Sequence, residues 1–134
     1  MLKIFISGLS GKMGQSVSKI ANDKNYIISH AIESCDIVID FSHQNNLSEM
    51  LKSSIKFKKP IIIGTTGFSK QQFKTIEKAA QEIAIMYSSN FSDGVLNLKK
   101  TIKSFINNST ESFSCEIEET HHTCLLYTSP SPRD

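Results

Sequence analysis

The first fifteen residues constrain this chain more than any other stretch. Leu2-Lys3-Ile4-Phe5-Ile6-Ser7 is an apolar, β-prone run that breaks into Gly8-Leu9-Ser10-Gly11-Lys12-Met13-Gly14. A helical pattern follows, with Val17, Ile20 and Ala21 on one face. A strand that turns through glycines into a helix leaves backbone N–H groups unpaired at the positive end of the helix dipole, a ready seat for a phosphate or diphosphate. The spacing departs from G-x-G-x-x-G, because Ser10 stands where the second glycine falls. A tight strand–helix turn with no ligand fits the same residues. Its place at the first βα turn favours a dinucleotide.

Downstream, strand and helix patterns alternate. Residues 2–7 read as a buried strand and 12–23 as a helix. Residues 26–32 form a second apolar run, and Asp36-Ile37-Val38-Ile39-Asp40-Phe41 a third. Helical spacing covers 45–57, a strand 60–63, a helix capped by Ser69, a strand 83–87, and a helix roughly 93–106. Residues 113–119 alternate as a further strand. This order predicts an α/β fold: a Rossmann-type, doubly wound, mostly parallel sheet with helices on both faces. One junction resists. Only two residues separate Glu33 from Asp36. A return between parallel strands needs on the order of 15 Å, and three residue steps reach about 10 Å. Either 27–32 is a short, irregular or antiparallel edge piece, or a strand–helix unit is missing there.

Bulk properties narrow the field. A chain of 134 residues holds one domain, or one domain and part of another. A formal charge of +2 is too small to argue for nucleic acid or an anionic membrane, and no apolar run approaches a membrane span. Residues 2–7 read as a core strand rather than a signal peptide. Cys35, Cys115 and Cys124 form no even disulfide framework, which suits a reducing cytoplasm. Residues 124–134 change character and resemble an in-frame translation of a sequencing-library adapter, a foreign tail expected to be disordered.

Several residues could carry chemistry. Glu33 lies nineteen residues after Gly14, where an acid can accept both ribose hydroxyls of an adenosine; a solvated surface acid fits equally. Gly64-Thr65-Thr66-Gly67 follows an all-isoleucine strand. Small residues there let the backbone approach a flat ring, and the hydroxyls suit a carboxamide or carboxylate; a simple turn and helix cap is the plainer alternative. Ser88-Ser89-Asn90-Phe91 falls at the same edge, so three strand ends converge on one crevice. His121 and His122 are adjacent on a strand pattern and point to opposite faces, which rules against both binding one metal. One of them could be a proton donor or anion contact, or both surface residues. No zinc-ligand spacing occurs, so no metal is expected.

The motifs fall in a recognisable order: Gly8-x-x-Gly11-Lys12-Met13-Gly14, Val38-Ile39-Asp40-Phe41-Ser42, Ile63-Gly64-Thr65-Thr66-Gly67-Phe68, Ser89-Asn90-Phe91-Ser92-x-Gly94-Val95, and Ile117-Glu118-Glu119-Thr120-His121-His122. This order resembles the 4-hydroxy-tetrahydrodipicolinate reductase (dihydrodipicolinate reductase) family of bacterial diaminopimelate and lysine biosynthesis, over residues 1–123. The resemblance implies a cytoplasmic, homotetrameric oxidoreductase that uses NADH or NADPH on a small dicarboxylate. It implies that Gly8, Leu9, Ser10, Gly11, Lys12 and Met13 hold the diphosphate and that Glu33 holds the ribose. Gly64, Thr65, Thr66, Ser88, Ser89, Asn90 and Phe91 then bracket the nicotinamide. His121 matches the catalytic histidine and His122 a substrate-carboxylate contact. Residues 1–91 correspond to the dinucleotide-binding domain, and 92–123 to the first helix and strand of a truncated α+β substrate domain.

Three departures accompany the resemblance. The family's catalytic lysine, four residues after the first histidine, is Leu125 here, and the D-A-P-S-G-T segment that follows it in the family is absent. Ser34 stands where many members carry arginine, which leaves NADH at least as suitable as NADPH. The family also has more residues between the ribose acid and the third strand, forming part of the adenine-side wall. The chain as it stands is therefore expected to bind a nicotinamide dinucleotide without turning over. Another nicotinamide oxidoreductase, such as an amino-acid dehydrogenase, and a non-catalytic dinucleotide-binding module are the competing expectations.

Overall fold

The computed structural model describes residues 1–109, together with Glu116 and Glu118. It divides into two compact units, Met1–Ser89 and Asn90–Asp134. In the first, strands β1 (Lys3–Ser7), β2 (Ile27–Ser29), β3 (Ile37–Asp40), β4 (Ile61–Ile63) and β5 (Ile85–Tyr87) form one sheet in the order β2-β1-β3-β4-β5. Every pairing is parallel. Helices α1 (Lys12–Asp23), α2 (Leu47–Lys56) and α3 (Lys70–Ala79) connect the strands, and a single 3-10 turn, Gln44–Asn46, leads into α2. The second unit is described through α4 (Asp93–Asn108). The alternating run 113–119 and the tail 124–134 lie outside the described residues, apart from Glu116 and Glu118.

Alternation along the strands sorts the core into two layers. Ile4 and Ile6 of β1 face α1 and pack with Ala21, Val17, Ile28, Ile37 and Ile39. Val38, Ile61 and Ile63 point the other way, onto Leu47 and Leu51 of α2 and Ile76 and Ala79 of α3. Strands of three to five residues have little intrinsic stability. Burying a Val, Leu or Ile side chain contributes about 1.5–3 kcal/mol, so these apolar layers dominate the local preferences.

β2 resolves the awkward junction. It is an edge strand of only three residues, and it is parallel rather than antiparallel. Ser29 pairs with Phe5, and β3 resumes on the far side of β1 with Ile37 opposite Ile4. The chain therefore hardly has to travel back along the sheet. Residues 30–36 cross β1 with no helix, and Ile32 and Cys35 fill the space beneath Phe5 within the α2–α3 layer. Burial raises the Cys35 thiol above its ordinary pKa, and that thiol donates to the Ile32 carbonyl at 3.1 Å. The β1–β2 connection runs in the opposite direction along the sheet from the others and lies on the opposite face. All the connections therefore share one hand, as the right-handed rule for parallel strands requires. The order equals the Rossmann order 3-2-1-4-5-6 with its outermost strand removed.

Candidate functional site

β1 is the strand at which the winding reverses, and its carboxyl end opens between β2 and β3. In open parallel sheets ligands settle at this place. Gly8 turns out of β1 at φ +82, a conformation that L side chains rarely adopt. A Cβ at this position would strike the Phe41 carbonyl and come within 2.9 Å of the Ser42 Cα. At Gly14 a Cβ would meet the Gly8 carbonyl and lie 2.7 Å from the Leu9 Cα, so the absence of a side chain lets α1 pack onto its own entry turn. The Gly11 amide closes that turn on the Gly8 carbonyl at 3.0 Å.

The N-terminus of α1 is left open. Its N-cap is Gly11, no side chain caps it among the described residues, and no acid lies in its first turn. The other helices differ. Ser69 and Gln72 form a reciprocal capping box on α3, with the Gln72 amide also donating to the Gln44 carbonyl at 2.8 Å. Ser92 caps α4, which has Asp93 in its first turn, and α2 carries Glu49 there. Leu9, Ser10, Gly11, Lys12 and Met13 are all exposed. Free first-turn amides, a lysine at the first helical position and a cradle that a Cβ would fill together fit a diphosphate.

The neighbouring strand ends are tied together through β3. Asp40 is fully buried at the end of β3. One carboxylate oxygen accepts from the Ser42 amide at 3.1 Å and the Ser42 hydroxyl at 2.6 Å. The other accepts from the Thr65 hydroxyl at 3.2 Å. The Gly64 amide donates to the Asp40 carbonyl at 2.8 Å, and the Phe41 ring occupies the space where a Gly64 Cβ would stand. Thr65 is thus turned inward and buried, whereas Thr66 is exposed. Beyond the loop, Phe68, Phe73 and Tyr87 form an aromatic cluster with centroids 5.4–5.9 Å apart, Phe73 meeting both others edge-on and Phe68 tilted against Tyr87. Burial raises the Tyr87 hydroxyl above its ordinary pKa. The Ser88 amide continues the sheet by donating to the Ile63 carbonyl at 3.2 Å, and Ser89 follows it, half-buried.

The remaining predicted residues are distributed differently. Glu33 is exposed and sits in a tight turn, where the Ser34 amide reaches the Ala31 carbonyl at 3.3 Å. It falls in the crossover four residues past β2, and its neighbour Ser34 stays beside the β2 end through a 2.7 Å hydroxyl contact with Ser29. Asn90 and Phe91 open the second unit, where the Asn90 side chain accepts from the Ser92 amide at 2.7 Å. His121 and His122 lie outside the described residues. Asp40 and Phe41 are the residues that sequence reasoning did not single out as part of a site. The signal was there: Asp40 follows Val38 by two positions in a strand, so its carboxylate shares the buried face.

Parallel strands wound about β1, a glycine turn without side chains and an uncapped helix start define a Rossmann-type nucleotide-binding domain. More particularly, residues 24–91 match the family described as dihydrodipicolinate reductase, N-terminus, and the chain belongs to that family. The matched span contains Asp40, Gly64, Thr65 and Ser88, and the glycine turn precedes it. The chain is 34% identical over 142 residues to the 4-hydroxy-tetrahydrodipicolinate reductase of Caldanaerobacter subterraneus subsp. tengcongensis, covering 91% of this chain and 56% of that protein. The enzyme of the same name from Rickettsia bellii is 36% identical over 136 residues, with 91% and 54% covered. That from Bdellovibrio bacteriovorus is 32% identical over 133 residues, with 90% and 57% covered. The chain thus spans about half the length of the curated relatives it matches. Ninety-one per cent of 134 residues is about 122, so the Caldanaerobacter protein holds about twenty residues more within the 142-residue aligned span.

Proposed function

We propose that this chain is the dinucleotide-binding part of a 4-hydroxy-tetrahydrodipicolinate reductase. The whole enzyme reduces that small dicarboxylate with NADH or NADPH in lysine and diaminopimelate biosynthesis. The observation that carries the reading is the open start of α1 behind the Gly8 turn, in a chain whose relatives bear that name. Residues 8–13 hold the diphosphate through backbone amides, with Lys12 adding charge. Gly64 and Thr66 face the nicotinamide end, and Ser88, Ser89, Asn90 and Phe91 contribute there by resemblance. Glu33 takes the adenosine ribose. A bound reduced nicotinamide supplies hydride to the substrate ring. His121 supplies a proton, and His122 holds a substrate carboxylate. Small dicarboxylates bind best where cationic donors meet both carboxyl groups, a task for the substrate-side residues.

Titration of the 134-residue chain with NADH, followed by nicotinamide fluorescence, tests the reading. Saturable binding is expected, and Gly11→Leu is expected to weaken it about tenfold or more, because the side chain projects where first-turn amides meet an anion. Leu125 occupies the position of the family's lysine, so a reductase assay on the same chain is expected to show no turnover. Absence of binding at millimolar NADH, or indifference to Gly11→Leu, overturns the reading. Full reductase activity overturns the assignment of Leu125.

A further inference from the structure

The buried carboxylate of Asp40 has no evident purpose as a stabilising device. Removing a carboxylate from water costs several kcal/mol unless its lone pairs are satisfied, and an apolar side chain would fill the same space without that cost. The structure satisfies it with the Ser42 amide, the Ser42 hydroxyl and the Thr65 hydroxyl, on two different strand ends. Ser42 backs the Gly8 turn, whereas Thr65 lies in the 64–66 loop. The two threonines of that loop are therefore divided: the Thr65 hydroxyl is spent inward on Asp40, and Thr66 stays exposed.

We propose that Asp40 is a positioning residue for the nicotinamide-side loop. By holding the Thr65 hydroxyl it fixes the backbone at Gly64 and Thr66, so that those groups, and not the Thr65 side chain, meet the ligand. This rests on the dinucleotide reading above. The two oxygens act separately. Asp40→Asn keeps one acceptor for Ser42 and replaces the charged acceptor facing Thr65 with an amide N–H. The Thr65 hydroxyl can then only accept from it, so the bond loses its charge assistance and holds the 64–66 loop less firmly while the glycine turn stays supported. Thr65→Val removes the same hydrogen bond from the other side with little change in shape.

The experiment compares NADH with ADP-ribose, which lacks the nicotinamide, on the full 134-residue chain by calorimetry, with urea melts run in parallel. The loss of one hydrogen bond corresponds to about a three- to tenfold effect. Thr65→Val is expected to weaken NADH by about that factor and Asp40→Asn by no more than that, each weakening ADP-ribose by less than about twofold. The double variant is expected to be no worse than Thr65→Val alone, because both act on one interaction. A purely structural role lowers stability without changing the ratio of the two affinities. An unchanged ratio in Thr65→Val, whether or not Asp40→Asn folds, overturns the proposal. If the unaltered chain binds neither ligand, the dinucleotide reading itself fails; if it binds both and the ratio holds, only the role of Asp40 fails.

Discussion

Ser54 lies on the inner face of α2, fully buried, and its hydroxyl has no partner among the described residues. A buried hydroxyl that lacks a hydrogen bond costs about 1–3 kcal/mol. Ser54→Ala removes that atom and favours the helix slightly. It is expected to raise the unfolding free energy by about 1 kcal/mol, read from the urea midpoint at constant slope. At this scale the sequence disclosed the glycines well, because only a missing side chain explains Gly8 and Gly14 so close to other backbone. It disclosed Asp40 less well. An acid closing an apolar strand reads as a solvated end, and only the two-residue period from Val38 places it inside. The inward turn of Thr65 was not legible at all. A threonine presents its hydroxyl or its methyl according to partners twenty-five positions away.

Helix ends in the first unit are set by local chemistry. α1 and α2 both finish in the double hydrogen bond of a Schellman motif. After α1 the Tyr26 and Asn25 amides return to the Ala21 and Asn22 carbonyls, and after α2 the Lys59 and Lys58 amides return to Ser54 and Ile55. Each motif needs one residue at positive φ: Asn25 at 58° and Lys58 at 52°. Asparagine tolerates this conformation, whereas lysine pays about 1 kcal/mol or more. Lys58→Gly is accordingly expected to stabilise the chain by about 1 kcal/mol in a thermal or urea melt. Helix positions were legible from periodicity and caps. Residues 12–23 form α1 as anticipated, and Ser69 caps α3. The boundaries that slipped have physical causes. Residues 44–46 tighten into a 3-10 turn before α2, and Ile83 packs into the core from the loop after α3. β2 stops early because residues 30–36 must leave the edge in time to cross β1.

Across the molecule, the fold class followed from strand–helix alternation, and parallel winding puts the β1, β4 and β5 ends at one edge, whereas the tie through the β3 end at Asp40 came only with the structure. The helix-free crossing did not. Periodicity reports which faces are apolar, not which neighbours a strand takes, and Ile32 and Cys35 read as strand and loop rather than as the filling beneath Phe5. The second unit could be read only as one amphipathic helix and an alternating run. The uncapped start of α1 has a practical corollary. With a formal charge of only +2, the chain has little general affinity for anions, so the small oxyanions of a buffer concentrate at that one dipole end. If the proposed reading holds, inorganic phosphate is a rival for the dinucleotide at that helix start. The apparent dissociation constant for NADH is expected to climb steeply with added phosphate, and much less when chloride is added to the same ionic strength, which screens without competing. Equal effects of the two salts at matched strength would place the diphosphate elsewhere on the molecule.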